Sequence, residues 1–332
     1  MTLATKEHFV SNFELSPQGD ILFVGLNSGE VRIFCRKSAA NPIKWELASL
    51  PFLTLSHAVI REVSFARSSN FVMMAFHSSD GMEGLIIRTL STCWKQPPED
   101  HMLPFRGSTN LTCVDFAPNA SADLMRVACA STLCLRDCCA SAPTVSVFEK
   151  NGSKWHRKFD LKSDATFVSS CVFSNDGQLL AFIELTCQER IGAIMTSSRI
   201  HVHNVDTGRL VRRIHHGAAN LTSLAWTSST GVVVIDTDTD TVSVIDILTS
   251  ATLATYTSVQ CMTSFRHNTQ GAVLLFKNGM VQLIGGHDGR VTKTYGTWPD
   301  LGGASSIMVS RNGNALMASY PADASLRFVE LP

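Results

Sequence analysis

The chain has no excess of either charge. Its 332 residues carry 28 basic and 28 acidic side chains, a formal net charge of zero, so composition supplies no bulk attraction to nucleic acid or to an anionic membrane. It also lacks any run near the 18 or so apolar residues of a membrane span. The first turns of the chain hold Lys6, Glu7, Glu14 and Asp20 where a signal peptide would hold an apolar core. The protein is therefore expected inside the cell, in cytoplasm or nucleus. Without a secretion signal, its ten cysteines read as reduced thiols, several of them small core residues, and not as a disulfide framework. There is no G-x-S-x-G elbow, no phosphate-cradling glycine loop and no H-E-x-x-H, so nucleophilic, nucleotide-binding and metallohydrolase chemistry have no starting point. No catalytic residue, metal or cofactor is expected. Charged residues make up 17% of the chain, below the usual quarter, which fits a strand-rich protein partly covered by a partner.

Helical periodicity is also missing, and in its place one unit recurs. The clearest copy is SNFELSPQGDILFVGLNSGEVRIF, Ser11 to Phe34: an alternating strand, a polar turn, an apolar strand, a tight turn, and a third alternating strand. Six more copies follow, beginning REVSF, TCVDF, SSCVF, TSLAW, TSF and SIMVS. The apolar residue before the first turn of each is Leu15, Phe65, Phe116, Phe173, Trp226, Phe265 and Val309, with spacings of 50, 51, 57, 53, 39 and 44 residues. These lie near the ~40–45 residues of a four-stranded propeller blade, with insertions in the middle copies. A fourth alternating segment separates the copies, as in KWELASL at Lys44, KWHRKFDL at Lys154, GRLVRRI at Gly208, ATLATY at Ala251 and GRVTKTY at Gly289.

The seventh copy ends LRFVELP at Pro332, before an outer strand can be made, while TLAT at Thr2–Thr5 repeats TLAT at Thr252–Thr255, the outer strand of the fifth copy. The expectation is that Met1–Thr5 pairs with the last blade and closes a ring with no free sheet edge. The architecture resembles the WD-repeat β-propeller family over essentially the whole chain: an all-β, seven-bladed propeller in a single domain, 1–332. The signature dipeptide is replaced by Phe34-Cys35, Phe148-Glu149, His203-Asn204, Ile245-Asp246, Ile284-Gly285 and Val329-Glu330, and the family's Gly-His link survives as His8, His57 and His216. The second copy, LIIRTL, is too irregular to place.

Three clusters raise the question of chemistry. His201 and His203, two apart on one strand, share a face and could begin a zinc site if further ligands converged; otherwise they fill space between blades and bond neighbouring turns. Cys129, Cys134, Cys138 and Cys139 contain no C-x-x-C pair, so a mixed core and loop role is the simpler reading. Asp236, Asp238 and Asp240 alternate like a calcium loop, but Thr241 stands where a glycine is required and Ile247 where a bidentate Glu is required. A hairpin with an acidic tip is the simpler reading.

What remains is surface. In the family resembled, the second-to-third-strand turns and the links between blades share a face that commonly holds partners. Two such turns are long: Thr132–Pro143, with Arg136 and Asp137, and Thr186–Ser198, with Arg190, Ile191, Ile194 and Met195. Together with Asp238, Asp240, His57 and His216 these are the candidate partner-binding residues. The function implied is a non-catalytic scaffold, one subunit of an intracellular complex, bound to other proteins and not to copies of itself. Two alternatives stand beside it. The pair Arg212-Arg213 invites a phosphoinositide-binding reading, although Ile214, His215 and His216 intervene before the glycine. Arg106, Arg126 and Arg136 would serve an RNA–protein complex if they formed a basic patch.

Overall fold

The computed structural model describes residues 10–16, 20–36, 45–47, 53–55, 58–65, 71–78, 83–89, 100–103, 109–118, 124–133, 143–152, 154–190, 193–217, 220–264, 271–310, 313, 315–320 and 325–332. Seven antiparallel sheets follow one another along the chain. Blade one contains β1 (Val10–Leu15), β2 (Ile21–Leu26), β3 (Glu30–Arg36) and β4 (Trp45–Leu47), with the short β5 (Leu53–Thr54) also paired to β3. Blade two contains β6 (Ala58–Phe65), β7 (Phe71–Ser78), β8 (Glu83–Thr89) and β9 (Asp100–Met102); blade three β10 (Thr109–Phe116), β11 (Leu124–Leu133), β12 (Thr144–Asn151) and β13 (Lys154–Lys162). Blade four contains β14 (Phe167–Phe173), β15 (Leu179–Arg190), β16 (Ala193–Asn204) and β17 (Leu210–His215); blade five β18 (Leu221–Trp226), β19 (Gly231–Asp236), β20 (Thr241–Asp246) and β21 (Thr252–Thr257). Blade six contains β22 (Val259–Ser264), β23 (Ala272–Phe276), β24 (Met280–Ile284) and β25 (Val291–Thr297), and blade seven β26 (Ser306–Val309), β27 (Ala315–Tyr320) and β28 (Ser325–Glu330). The chain divides into two compact units, Met1–Thr109 with Ala304–Pro332, and Asn110–Gly303.

Burial follows position within each blade. The second strand lies between neighbouring blades and is covered on both faces, so it reads as continuous Val, Ile, Leu and Phe: β19 and β23 are buried at every residue. The outer strand is exposed at most residues, as in β17 and β21. In the Asn110–Gly303 unit the core is a chain of interblade clusters. Val147, Leu180 and Phe182 join blades three and four, Ile183, Val202 and Val234 blades four and five, and Val233, Val244 and Leu274 blades five and six. In the other unit Phe23, Ile60 and Met74 join blades one and two, and Phe13, Leu22 and Met317 blades one and seven. Each such aliphatic or aromatic side chain withdrawn from water contributes roughly 1.5–3 kcal/mol before entropy is counted.

Local chemistry repeats from blade to blade. A one-residue bulge interrupts the first strand of blades one, two, four, five and six at equivalent places. Such bulges twist the strand and recur as built features. Ser16, Ser174 and Ser310 open the first turn in three blades, and each buried hydroxyl accepts the backbone N–H five residues on, at 2.8–3.0 Å. After the third strand, Asn204 and Asp246 accept turn N–H groups from Thr207 and Thr249. The fifth residue of the turns in blades four, five and six is Gly208, Ser250 or Gly289, all with φ of 62–70°. The anchors read from the sequence fall at strand ends: Leu15, Phe65, Phe116, Phe173, Trp226 and Val309 close β1, β6, β10, β14, β18 and β26, and Phe265 lies outside the described residues. Blade seven has three strands among the described residues, and Met1–Thr5 also lies outside them.

Candidate functional site: the ribbon of blade four

The segment Thr186–Ser198, expected as a long turn, is instead strand. β15 and β16 pair in unbroken register from Leu179↔Asn204 to Arg190↔Ala193. Their partners stop earlier: β14 reaches only Leu185, and β17 begins to pair at Arg199. The five pairs from Thr186↔Ser197 to Arg190↔Ala193 therefore form a two-stranded ribbon beyond the four-stranded sheet, roughly 17 Å long at about 3.4 Å per residue. The physical reason is pairing: TCQER lies in register with AIMTS, and each segment supplies the backbone partners that the other needs to continue as strand.

The ribbon is fastened where it leaves the sheet. On one side the Thr166 N–H donates to the Leu185 carbonyl (2.9 Å), and Thr166 Oγ1 accepts the Cys187 N–H (2.9 Å). On the other, the buried Ser198 Oγ accepts the Leu221 N–H at 3.0 Å. Beneath lies a buried polar cluster. Glu184 Oε2 and His201 Nε2 are 2.9 Å apart, each side chain 6% exposed. Burial opposes ionisation of Glu184, but the contacts with His201 and Ser163 and the charges of His201 and Arg213 outweigh it, holding the carboxyl below its usual value. His203 stacks on Phe182 at 5.4 Å, and its Nδ1 lies 3.1 Å from the Gly208 carbonyl. His201 and His203 thus lie against Phe182 of their own blade, and His203 alone meets a turn, that at Gly208. Among the described residues no three His, Cys, Asp or Glu side chains converge as metal ligands.

The next link and turn continue the same end of the fold. Asn220 accepts the Thr237 N–H on its carbonyl and donates from Nδ2 to Asp238 Oδ1 at 3.2 Å. Asp236 accepts the Asp238 N–H and the Thr239 hydroxyl, and Asp240 pairs with Lys277 of blade six. The three aspartates form a hairpin turn whose carboxylates are held by the chain itself. His216, in the link, is half buried; burial lowers its pKa, against the opposing charge of Asp236. Structure therefore gathers His216, Asp238 and Asp240 beside the root of the ribbon that carries the backbone of Arg190, Ile194 and Met195. Ile191, Arg136, Asp137 and His57 lie outside the described residues. Glu184, Thr166, Ser198 and Lys277 had not been singled out. Of these Glu184 had a readable signal, a carboxylate within the apolar second strand LLAFIELT.

Other sequence candidates find structural work. The Arg212 guanidinium donates to the Ile247 and Leu248 carbonyls of blade five, so half of the Arg212-Arg213 pair is spent on an interblade contact. Arg126 binds Glu149 at 2.7 Å and Asp206 at 2.8 Å; Arg106 and Arg136 lie outside the described residues. Cys129 is fully buried, which pushes its thiol far up, a core role; Cys134, Cys138 and Cys139 lie outside the described residues.

No family model and no curated protein sequence matches the chain. Its structure is similar to that of the Dos1 propeller, with a TM-score of 0.65 and 8% identity over 97% of this chain and 77% of that one. It is also similar to the C-terminal WD40 domain of Sif2, with a TM-score of 0.60 and 12% identity over 98% and 96%. Likeness at such identities defines architecture alone, and the fold is that of a seven-bladed, WD-repeat-like all-β propeller. Among the described residues no helix is long and apolar enough to cross a membrane.

Proposed function

We propose that the protein is a non-catalytic scaffold that binds other protein subunits of an intracellular complex, with the blade-four ribbon as its principal contact. The observation that carries this reading is the ribbon itself. Five strand pairs run past the strands that flank them in the sheet and are fastened at both sides of their base. A hairpin whose strands are already paired offers its backbone at little ordering cost, which favours recognition. The end of the fold formed by His216, Asp238 and Asp240 adjoins it as a polar rim, the arrangement of many protein interfaces. Arg136 and Asp137, in the corresponding turn of blade three, extend the same platform in this reading.

The propeller is one domain, 1–332, in this proposal, and Met1–Thr5 supplies the fourth strand of blade seven. The phosphoinositide alternative is weakened by the engagement of Arg212 with backbone carbonyls, and the RNA alternative by the pairing of Arg126. Affinity purification of the tagged full chain followed by mass spectrometry tests the scaffold directly. Reproducible stoichiometric protein partners support it, and recovery of the chain alone opposes it.

A further inference from the structure

We propose that the outer rim shared by blades three and four docks an acidic, extended segment of a partner protein. In a chain of zero net charge the cations are unevenly placed. β13 carries Lys154, His156, Arg157, Lys158 and Lys162 against one acid, Asp160, and Arg209–His215 carries three arginines and a histidine with no acid. The outer strand of blade five has no charge, and that of blade six has one lysine.

Some of these cations are consumed. Lys158 binds Glu149 and Asp206, Arg157 binds Asp160, and Arg212 binds carbonyls. Lys154, Lys162 and Arg209 are exposed and have no ion-pair partner among the described residues, and Arg213 is exposed within the field of Glu184. The two rims are continuous, because a Cβ at Gly208 would stand 3.5 Å from the Phe159 ring and Lys158 reaches Asp206 at 3.5 Å. Leu210 and Val211, 48% and 49% exposed, lie among these charges.

Each rim is the outermost strand of its sheet among the described residues. An edge lined with one sign of charge repels copies of itself and accepts a strand of opposite sign, whose backbone pairs with the edge while its carboxylates meet the cations. Complementarity of this kind sets specificity and association rate. A nucleic acid is the other polyanion to consider, but the rim presents aliphatic side chains and leaves Trp155 and Phe159 half buried, where single-strand binding uses open aromatic platforms. None of the ribbon residues takes part, so this proposal and the scaffold proposal fail independently.

The test is fluorescence anisotropy on the full chain with a labelled Glu-Val-Glu-Val-Glu-Val-Glu peptide, its lysine counterpart, and an oligouridylate of matched charge. Saturable binding of the acidic peptide is expected, weakened about tenfold by Arg209→Glu with Arg213→Glu and unaffected by Arg290→Glu on blade six. It should also weaken as salt rises from about 50 to about 300 mM. Because Arg213 lies near Glu184, Lys154→Glu with Lys162→Glu provides a second rim variant, on blade three, that leaves the arginines of blade four in place. Absence of saturable binding, binding that both rim variants leave untouched, or equal affinity for the oligouridylate overturns the proposal.

Discussion

Glu184 and His201 face each other 2.9 Å apart at the root of the blade-four ribbon, both almost wholly withdrawn from solvent. A buried carboxylate of this kind is tolerated only while partnered, and removing one member leaves the other's desolvation uncompensated. Glu184→Ala is expected to cost about 3 kcal/mol, and Glu184→Leu with His201→Leu to recover most of it. A double-mutant cycle by urea denaturation checks this; simple additivity of the two single changes would refute the coupling.

The same cluster sets a pH dependence. Burial holds His203 below its usual pKa, against the Gly208 carbonyl, and holds His216 low against Asp236. In the unfolded chain both titrate near 6.5, so below roughly that pH the unfolded state binds more protons. The stability they support is complete above about pH 6.5 and is lost as pH falls through the lowered folded values. Denaturation midpoints should decline from about pH 7.5 to about pH 5, and His203→Phe, which keeps the stack on Phe182, should flatten that decline. An unchanged slope would place the proton uptake elsewhere.

Internal repetition predicts opposite effects at equivalent turns. Ser250 occupies a left-handed conformation, φ 62°, where blades four and six have Gly208 and Gly289. Ser250→Gly is expected to stabilise by about 0.5–1 kcal/mol through relief of that conformation. Gly289→Ala should destabilise by more, because its Cβ would also meet those of Ala254 and Val244 at 3.0 Å. Melting temperatures of both variants check the pair, and a stabilising Gly289→Ala would contradict it.

The blade pattern was legible because it depends on local periodicity and turn chemistry. Alternation marked the first and third strands, continuous apolar runs marked the second, and Gly, Asn, Asp and Ser marked the turns. Outer strands in blades one, three, four, five and six were readable for the same reason. Asp100–Met102, the outer strand of blade two, was not, since three residues carry no periodicity. The ribbon was read as loop because Thr186–Arg190 has no apolar alternation; its strand character comes from register with Ala193–Ser197 across the tip, a non-local fact. The contact of Glu184 with His201 escaped notice because it runs diagonally across a ladder in which Glu184 pairs with Arg199 and His201 with Phe182, and follows no sequence spacing.

Blade seven provides a test at the termini. If Met1–Thr5 forms its outer strand, deletion uncovers the edge of β28, which both weakens the blade and offers a template for aggregation. The truncated chain should melt at a lower temperature and aggregate on heating. Identical melting of the two forms would rule out this role for the segment.

Recognition through the ribbon is tested most directly by shortening it. Residues Thr186–Ser197 are replaced by Asn-Gly, so that Leu185 and Ser198 flank a two-residue turn. Ser198 is retained because its buried hydroxyl accepts the Leu221 N–H. The flanking strands stop pairing at Leu185 and Arg199, short of the removed residues, so the melting temperature should remain close to that of the parent chain. Co-purification of protein partners, measured at matched expression, should fall sharply. Full retention of every partner by the folded, shortened protein would contradict the assignment.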